Sequence, residues 1–504
     1  MQSYTQLESI FSRIYRLNHL LSLAGWDAQV NMPPKGAEAR GEAMSELERY
    51  THELLTSPVT KDLLEKAKLA PKMSPMESAN LREMRRLFES ESLLPEEFVQ
   101  RKSKLTTKAQ VVWQESREKN SFQTYLPVLK ELVATAREEG KYRSSTTNMS
   151  VYEALLDVFE PGMNLKTLDA VFADVKSWLP SLLKQVVEKQ EKMNEANPIV
   201  PITTPISKEK QEALGKHMMG IWQFDLEAGR LDSSAHPFTG MTKEDTRITT
   251  NYNPTDVEQS LYAVIHETGH AKYEQNCGPR EMITQPICNA RSLGLHESQS
   301  LFAEMQVGRS AAFSAFLTPL LKEFYGEQPS FQEENLKRIA QKVKPGFIRV
   351  HADEVSYPLH IILRYEIERA LIEGTMEAED VPKVWNAKMK EYLGLDPGDR
   401  DDLGCLQDIH WSGGAFGYFP TYTLGSMFAA QLMATIKKEL GEEEVRRCIR
   451  SGELSPIFAK QKEKIWDVGC TYETEDLMIR ATGEKLNPAY FREHLERRYL
   501  RGED

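Results

Sequence analysis

Val264-Ile265-His266-Glu267-Thr268-Gly269-His270 is the stretch on which the reading of this chain turns. In an α-helix residues four apart share a face, so His266 and His270 can present two imidazole nitrogens to one metal ion, with Glu267 one position round. That geometry needs a helix, and the flanks predict one. Asn253 can cap it, Pro254 suits the first turn, Asp256 favours the positive end, and Asn276, Gly278 and Pro279 mark the stop. With 11 His in 504 residues, a His-Glu-x-x-His run arises by chance roughly 0.02 times per chain, so coincidence is a poor explanation.

A metal site that does chemistry usually takes three protein ligands and leaves one position open. No third His follows at short spacing, because the residues after His270 read Ala-Lys-Tyr-Glu-Gln-Asn. The next helical segment, Leu295 to Glu304, offers Glu297 near its start and Glu304 two turns on. Glu297 is the expected third ligand and Glu304 the runner-up. Glu267 is then placed to take a proton from a water acidified by the metal, which is the chemistry of amide hydrolysis without a covalent enzyme intermediate. The oxyanion so formed needs donors, and the runs Gly404 to Trp411 and Gly417 to Tyr422 offer them on loops that glycine keeps open to a substrate.

Outward from this motif, most of the chain reads as helix: apolar residues at three and four spacing, charged opposite faces, stops at Gly or Pro. The N-terminal run with Leu7, Ile10, Phe11, Ile14, Leu17 and Leu21 is an amphipathic helix rather than a signal peptide. One segment departs from this pattern. Asp245 to Tyr252 is β-branched and alternating, and predicts a strand beside the site, either a lone edge open to an extended peptide or an ordinary hairpin strand. Pro198, Pro201 and Pro205 end a long charged helix and predict the best internal boundary, with residues 1–200 an N-terminal helical lobe and 206–504 the catalytic helical region. Eight of the 11 His fall between His217 and His410, on the catalytic side.

Composition excludes several classes. A net charge of −12 gives no electrostatic footprint for a phosphate backbone or anionic lipid, so neither nucleic acid nor a membrane surface is expected as a partner. The uncharged run from Trp411 to Ile436 is broken by glycines and Pro420, and fits a buried wall better than a membrane span. Five scattered Cys without a Cys-x-x-Cys pair suit reduced, buried thiols in a cytoplasmic protein.

Taken in order, the motifs resemble those of the carboxypeptidase Taq family over nearly the full length. They are Trp26-Asp27 through Met32-Pro33 and Gly36, His236-Pro237-Phe238, Asp245-x-Arg247-x-Thr249, His266-Glu267-x-x-His270, His296-Glu297-Ser298-Gln299, Ile348-Arg349-x-x-Ala352-Asp353 and Gly404-x-x-Gln407-Asp408-x-His410-Trp411. The resemblance implies a mostly helical fold similar to that of neurolysin and angiotensin-converting enzyme, with a deep active-site groove, commonly homodimeric. It implies a zinc enzyme, with cobalt able to substitute, that removes C-terminal residues from peptides with broad specificity excluding proline. His266, His270 and Glu297 look like the ligands and Glu267 the general base. Arg349 looks like the receptor for the substrate's C-terminal carboxylate, His410 and Tyr422 like the holders of the oxyanion, and His236 like a donor to a substrate carbonyl. Arg247, in the Asp-x-Arg-x-Thr motif, joins the substrate-binding set.

Two alternatives stay open in the sequence. A scaffold with a closed structural zinc would not need Glu267. A neurolysin-type oligoendopeptidase would have no use for a cation at Arg349, because its substrate chain continues past that point. From spacing alone Arg349 could equally form a structural pair with Asp353 or Glu354. Related zinc peptidases often carry Asp four residues after the Glu ligand; here that residue is Leu301, so another carboxylate must orient His266 or His270.

Overall fold

The structure is a computed structural model and describes residues 2–69 and 73–504. Helices α1 (Gln2–Val30), α2 (Ala37–Thr56), α3 (Pro58–Lys68) and α4 (Pro75–Ser92) form an N-terminal group. Its members bury their apolar stripes against one another, with Tyr4, Leu7, Phe11 and Ile14 of α1 meeting Leu55, Leu63, Leu64, Leu81 and Met84. Ser57 and Ser74 supply caps for α3 and α4, the second as a capping box with Glu77, so each hydroxyl pairs one of the N–H groups that a helix start leaves open.

A much larger apolar cluster fills the rest of the molecule. It begins with α5 (Glu96–Glu118), α6 (Phe122–Ser144), α7 (Val151–Leu156) and α8 (Leu165–Ala196), and continues through α9 (Lys208–Ile221). The proline-bearing segment between α8 and α9 is largely exposed, while Val186 before it and Ile206 after it belong to the same cluster.

Three short strands follow: β1 (Gly229–Ser233), β2 (Thr239–Thr242) and β3 (Asp245–Thr250). The expected strand is β3, but it is not an edge. It lies at the centre of the sheet, parallel to β1 and antiparallel to β2, so both of its hydrogen-bonding sides are taken. Burial of Ile248 against Met219, Phe224, Leu231 and Val264 holds it there. The two edges are β1 and β2, and the first residue of β2 reaches the motif helix.

That helix is α10 (Val257–Asn276). Its cap is Asp256, which accepts from the Gln259 N–H, rather than Asn253; the Asn253 side chain instead closes the preceding turn by accepting from Thr255. Beyond it come α11 (Leu293–Leu301), a π-helical turn over Phe302–Gly308, α12 (Ala311–Tyr325), α13 (Glu333–Ala340), α14 (Tyr357–Glu373), α15 (Val381–Leu393) and α16 (Pro420–Leu440). α16 is the buried wall expected from the uncharged run, with Leu424, Met427, Phe428 and Leu432 all buried. Among the described residues no helix is long and apolar enough to cross a membrane, and the five Cys are all free and buried.

Candidate active site

His266, Glu267 and His270 sit in the middle of α10, and α11 crosses close beside it. Gly269 permits that approach: a Cβ there would stand 2.5 Å from the Gln299 carbonyl and 2.7 Å from Ser300 Cα. The crossing delivers Glu297, whose Oε2 lies 3.4 Å from His270 Nε2 and 4.0 Å from His266 Nε2. Ligand atoms held about 2.0–2.2 Å from a tetrahedral zinc stand roughly 3.4 Å apart, so two imidazoles and one carboxylate at these spacings fit a divalent metal ion. No other His, Cys, Asp and Glu group among the described residues has this compactness.

Glu304 is not beside these facing nitrogens. Its Oε2 lies 2.9 Å from Nδ1 on the far side of His266, and its Oε1 accepts from Arg309 Nη2 at 2.8 Å. It is thus the carboxylate that orients His266, in place of the one that Leu301 cannot provide. The counterpart for His270 is another imidazole: His270 Nδ1 is 2.6 Å from His296 Nδ1, and His296 Nε2 is 2.8 Å from Glu274 Oε1.

The electrostatics favour a cation. Burial opposes the charged form of His266, yet the hydrogen bond to Glu304 and the charges of Glu297, Glu304 and Glu267 push it up to about 9. Burial likewise opposes ionisation of Glu297, and His270 and His266 hold its carboxyl down at about 2. Three carboxylates surround two imidazoles, and a divalent ion satisfies that surplus.

Glu267 is oriented by a residue that the sequence reading did not single out. Thr239, the first residue of β2, donates from Oγ1 to Glu267 Oε2 at 2.6 Å. A hydroxyl there carries no sequence signal beyond following His236-Pro237-Phe238.

A second cluster faces the first. Arg349 is 6% exposed and pairs with neither Asp353 nor Glu354. Asp353 accepts backbone N–H groups of Lys344, Val355 and Ser356, and Glu354 is taken by His494, Arg498 and Tyr499. Arg349 Nε instead donates to Asp408 at 2.8 Å and Nη1 to the Tyr357 hydroxyl at 3.1 Å, which leaves Nη2. Asp408 also accepts from Arg364 Nε at 2.6 Å, so two guanidiniums share one carboxylate and a net positive charge remains. His410 Nε2 lies 3.1 Å from the Tyr422 hydroxyl. Burial, helped by Arg349 and Arg364 against Asp408, lowers His410 to about 4 and keeps its imidazole neutral near pH 7. Tyr422 belongs to α16, one turn before Gly425, where a Cβ would stand 2.8 Å from Glu297 Cγ. Glycine at that position therefore lets the Tyr422 helix pack against Glu297.

The remaining two candidates lie in and beside the sheet. His236 is exposed in the β1–β2 connection. Arg247 donates twice to Asp245, from Nε at 2.7 Å and Nη2 at 2.8 Å, and its guanidinium lies 4.6 Å from the Trp26 ring centroid.

With this geometry in place, comparison with known proteins decides the family. The sequence profile of the carboxypeptidase Taq (M32) metallopeptidases matches residues 6–499. The chain belongs to this family. It is similar to thermostable carboxypeptidase 1 of Pyrococcus furiosus, 35% identical with 99% of each chain covered, and equally so to carboxypeptidase 1 of Bacillus subtilis, 35% identical with 99% of each covered. Among solved structures, metallocarboxypeptidase 1 of Trypanosoma cruzi is 56% identical and superimposes with a TM-score of 0.98, covering 99% of this chain and 100% of the other. As a member of the family the chain is a metallopeptidase with the mostly helical architecture of its relatives.

Proposed function

We propose that the protein is a zinc-dependent carboxypeptidase that removes C-terminal residues from peptides, with His266, His270 and Glu297 as metal ligands and Glu267 as general base. Cobalt would fit the same donor set. A bound divalent ion would supply Lewis acidity and lower the pKa of a water in the site. Thr239 fixes Oε2 of Glu267, which leaves Oε1 to accept the water's proton and later to pass it to the leaving amine. A neutral His410 carrying its hydrogen on Nε2 would donate to the Tyr422 oxygen 3.1 Å away and leave the phenol proton free to point at the developing oxyanion. Tyr418 stands beside the same pair, its ring 5.2 Å from that of His410, as the next candidate donor.

The observation that carries the direction of cleavage is Arg349: a buried guanidinium with surplus positive charge, packed against the Tyr422 ring. Such a cation suits a free terminal carboxylate, with which a planar guanidinium forms short, charge-assisted bonds. An oligoendopeptidase would have to thread chain past it, and a closed structural zinc would leave Glu267 and its threonine without a task. Incubation of the zinc-loaded protein with a blocked dipeptide and with an internally quenched, C-terminally amidated peptide tests the reading. Hydrolysis of the dipeptide alone is expected; cleavage of the amidated peptide alone would overturn the exopeptidase assignment.

A further inference from the structure

Glu274 lies four residues after His270 on the same face of α10, yet it does not touch it. His296, from α11, stands between them: its Nδ1 is 2.6 Å from His270 Nδ1 and its Nε2 is 2.8 Å from Glu274 Oε1. Lys243, only 6% exposed and carried by the β2–β3 turn, closes the far end, with Nζ 3.9 Å from Glu274 Oε2. A charge of opposite sign at this distance keeps Glu274 a carboxylate, and a carboxylate can only accept.

The proton positions then follow in one direction. His296 Nε2 must carry the hydrogen that Glu274 accepts. In the neutral ring His296 Nδ1 is therefore a bare lone pair. His270 Nδ1, at hydrogen-bond distance from that lone pair, must carry the hydrogen that His296 accepts. His270 Nε2 is left as a lone pair, and it is the nitrogen that faces Glu297. The rings of His270 and His296 lie 4.5 Å apart at 32°, with Tyr273 packed on His296 at 5.7 Å.

We infer that His296 is a positioning residue for the metal centre: it relays Glu274 to His270 and so fixes the tautomer and ring orientation that leave Nε2 free to bind a metal. This rests on reading His266, His270 and Glu297 as the ligands. The two histidines are held by different means, His266 by the carboxylate of Glu304 directly and His270 by a carboxylate one imidazole removed.

The test is the zinc dissociation constant of the purified full chain, measured by competition with a chromophoric chelator, together with the visible absorption of the cobalt form. His296→Leu removes the acceptor, whereas His296→Asn can restore an oxygen close to the position of Nδ1. Glu274→Gln keeps the shape but weakens the hold on the His296 tautomer, and serves should His296→Leu fail to fold. His296→Leu is expected to weaken zinc binding by about 10–100-fold and to alter the cobalt spectrum, as loss of an outer partner of a metal ligand does. His296→Asn should recover most of that loss, and Glu274→Gln should fall between. His266→Ala is the control for the ligand reading. If His266→Ala binds zinc as wild type does, the ligand assignment itself fails. If His266→Ala loses zinc while His296→Leu and Glu274→Gln bind as wild type, or if His296→Asn is as weak as His296→Leu, the relay is wrong and the ligand assignment stands.

Discussion

The Arg349 guanidinium lies 4.9 Å from the centroid of the Tyr422 ring. The group proposed to receive a substrate's terminal carboxylate is therefore stacked on the group proposed to meet its oxyanion. On that proposal a bound carboxylate and the developing negative charge would be read by two side chains in direct contact, which would couple recognition of a chain end to the chemical step.

Arg349→Ala should abolish the preference for a free terminus. Wild type is expected to hydrolyse a blocked dipeptide acid far faster than its C-terminal amide. The variant should cleave both poorly and about equally, with zinc content unchanged. Equal cleavage by the wild type would refute the role of Arg349.

Glu267→Gln should leave zinc stoichiometry and fold intact while lowering kcat by about 10²–10⁴, because the amide cannot accept the water's proton. Rates compared at equal zinc occupancy decide this. A loss of less than tenfold would contradict the assignment.

Gly425→Ala should damage the metal site from outside it. The new methyl would stand 2.8 Å from Glu297 Cγ, 2.9 Å from Glu297 Cβ and 3.1 Å from the Gly294 carbonyl oxygen, so Glu297 or the α11–α16 packing that carries it must shift. A weakened zinc affinity with little change in the thermal midpoint is expected. Unchanged affinity would mean that Glu297 has room to give way without leaving the metal.

His410 makes stability depend on pH in a stated direction. Its folded value is lowered to about 4 by burial together with Arg349 and Arg364, against an ordinary imidazole value near 6.5. As pH falls from 6.5 towards 4 the unfolded chain takes up a proton that the folded chain does not, so stability is lost over that window and is fully present above it. His410→Gln removes this titration. Between pH 7 and 4.5 the wild type should lose on the order of 2–3 kcal/mol more than the variant in denaturant unfolding. Parallel pH profiles would show that His410 titrates normally in the fold.

What the sequence determined by itself is what local spacing controls. A helix through His266, Glu267 and His270 follows from 3.6-residue periodicity and punctuation at both ends, and it comes with two nitrogens on one face wherever the helix packs. Glu297 could be ranked above Glu304 because it begins the next helical segment, and the buried wall of α16 follows from absence of charge. What only the tertiary structure decided are pairings between distant positions. Glu304 meets His266 across 38 residues, His296 meets His270 across 26, and Arg349 meets Asp408 across 59. The first two exist because α11 and the π-turn after it cross α10 at a distance that Gly269 permits, and the third joins two loop segments that no helical period relates. Periodicity fixes which face a residue occupies; it carries no term for which other face it will meet. That is why Asp353 and Glu354, one turn from Arg349, were the natural partners in the sequence, while the folded chain gives Arg349 to an aspartate it shares with Arg364.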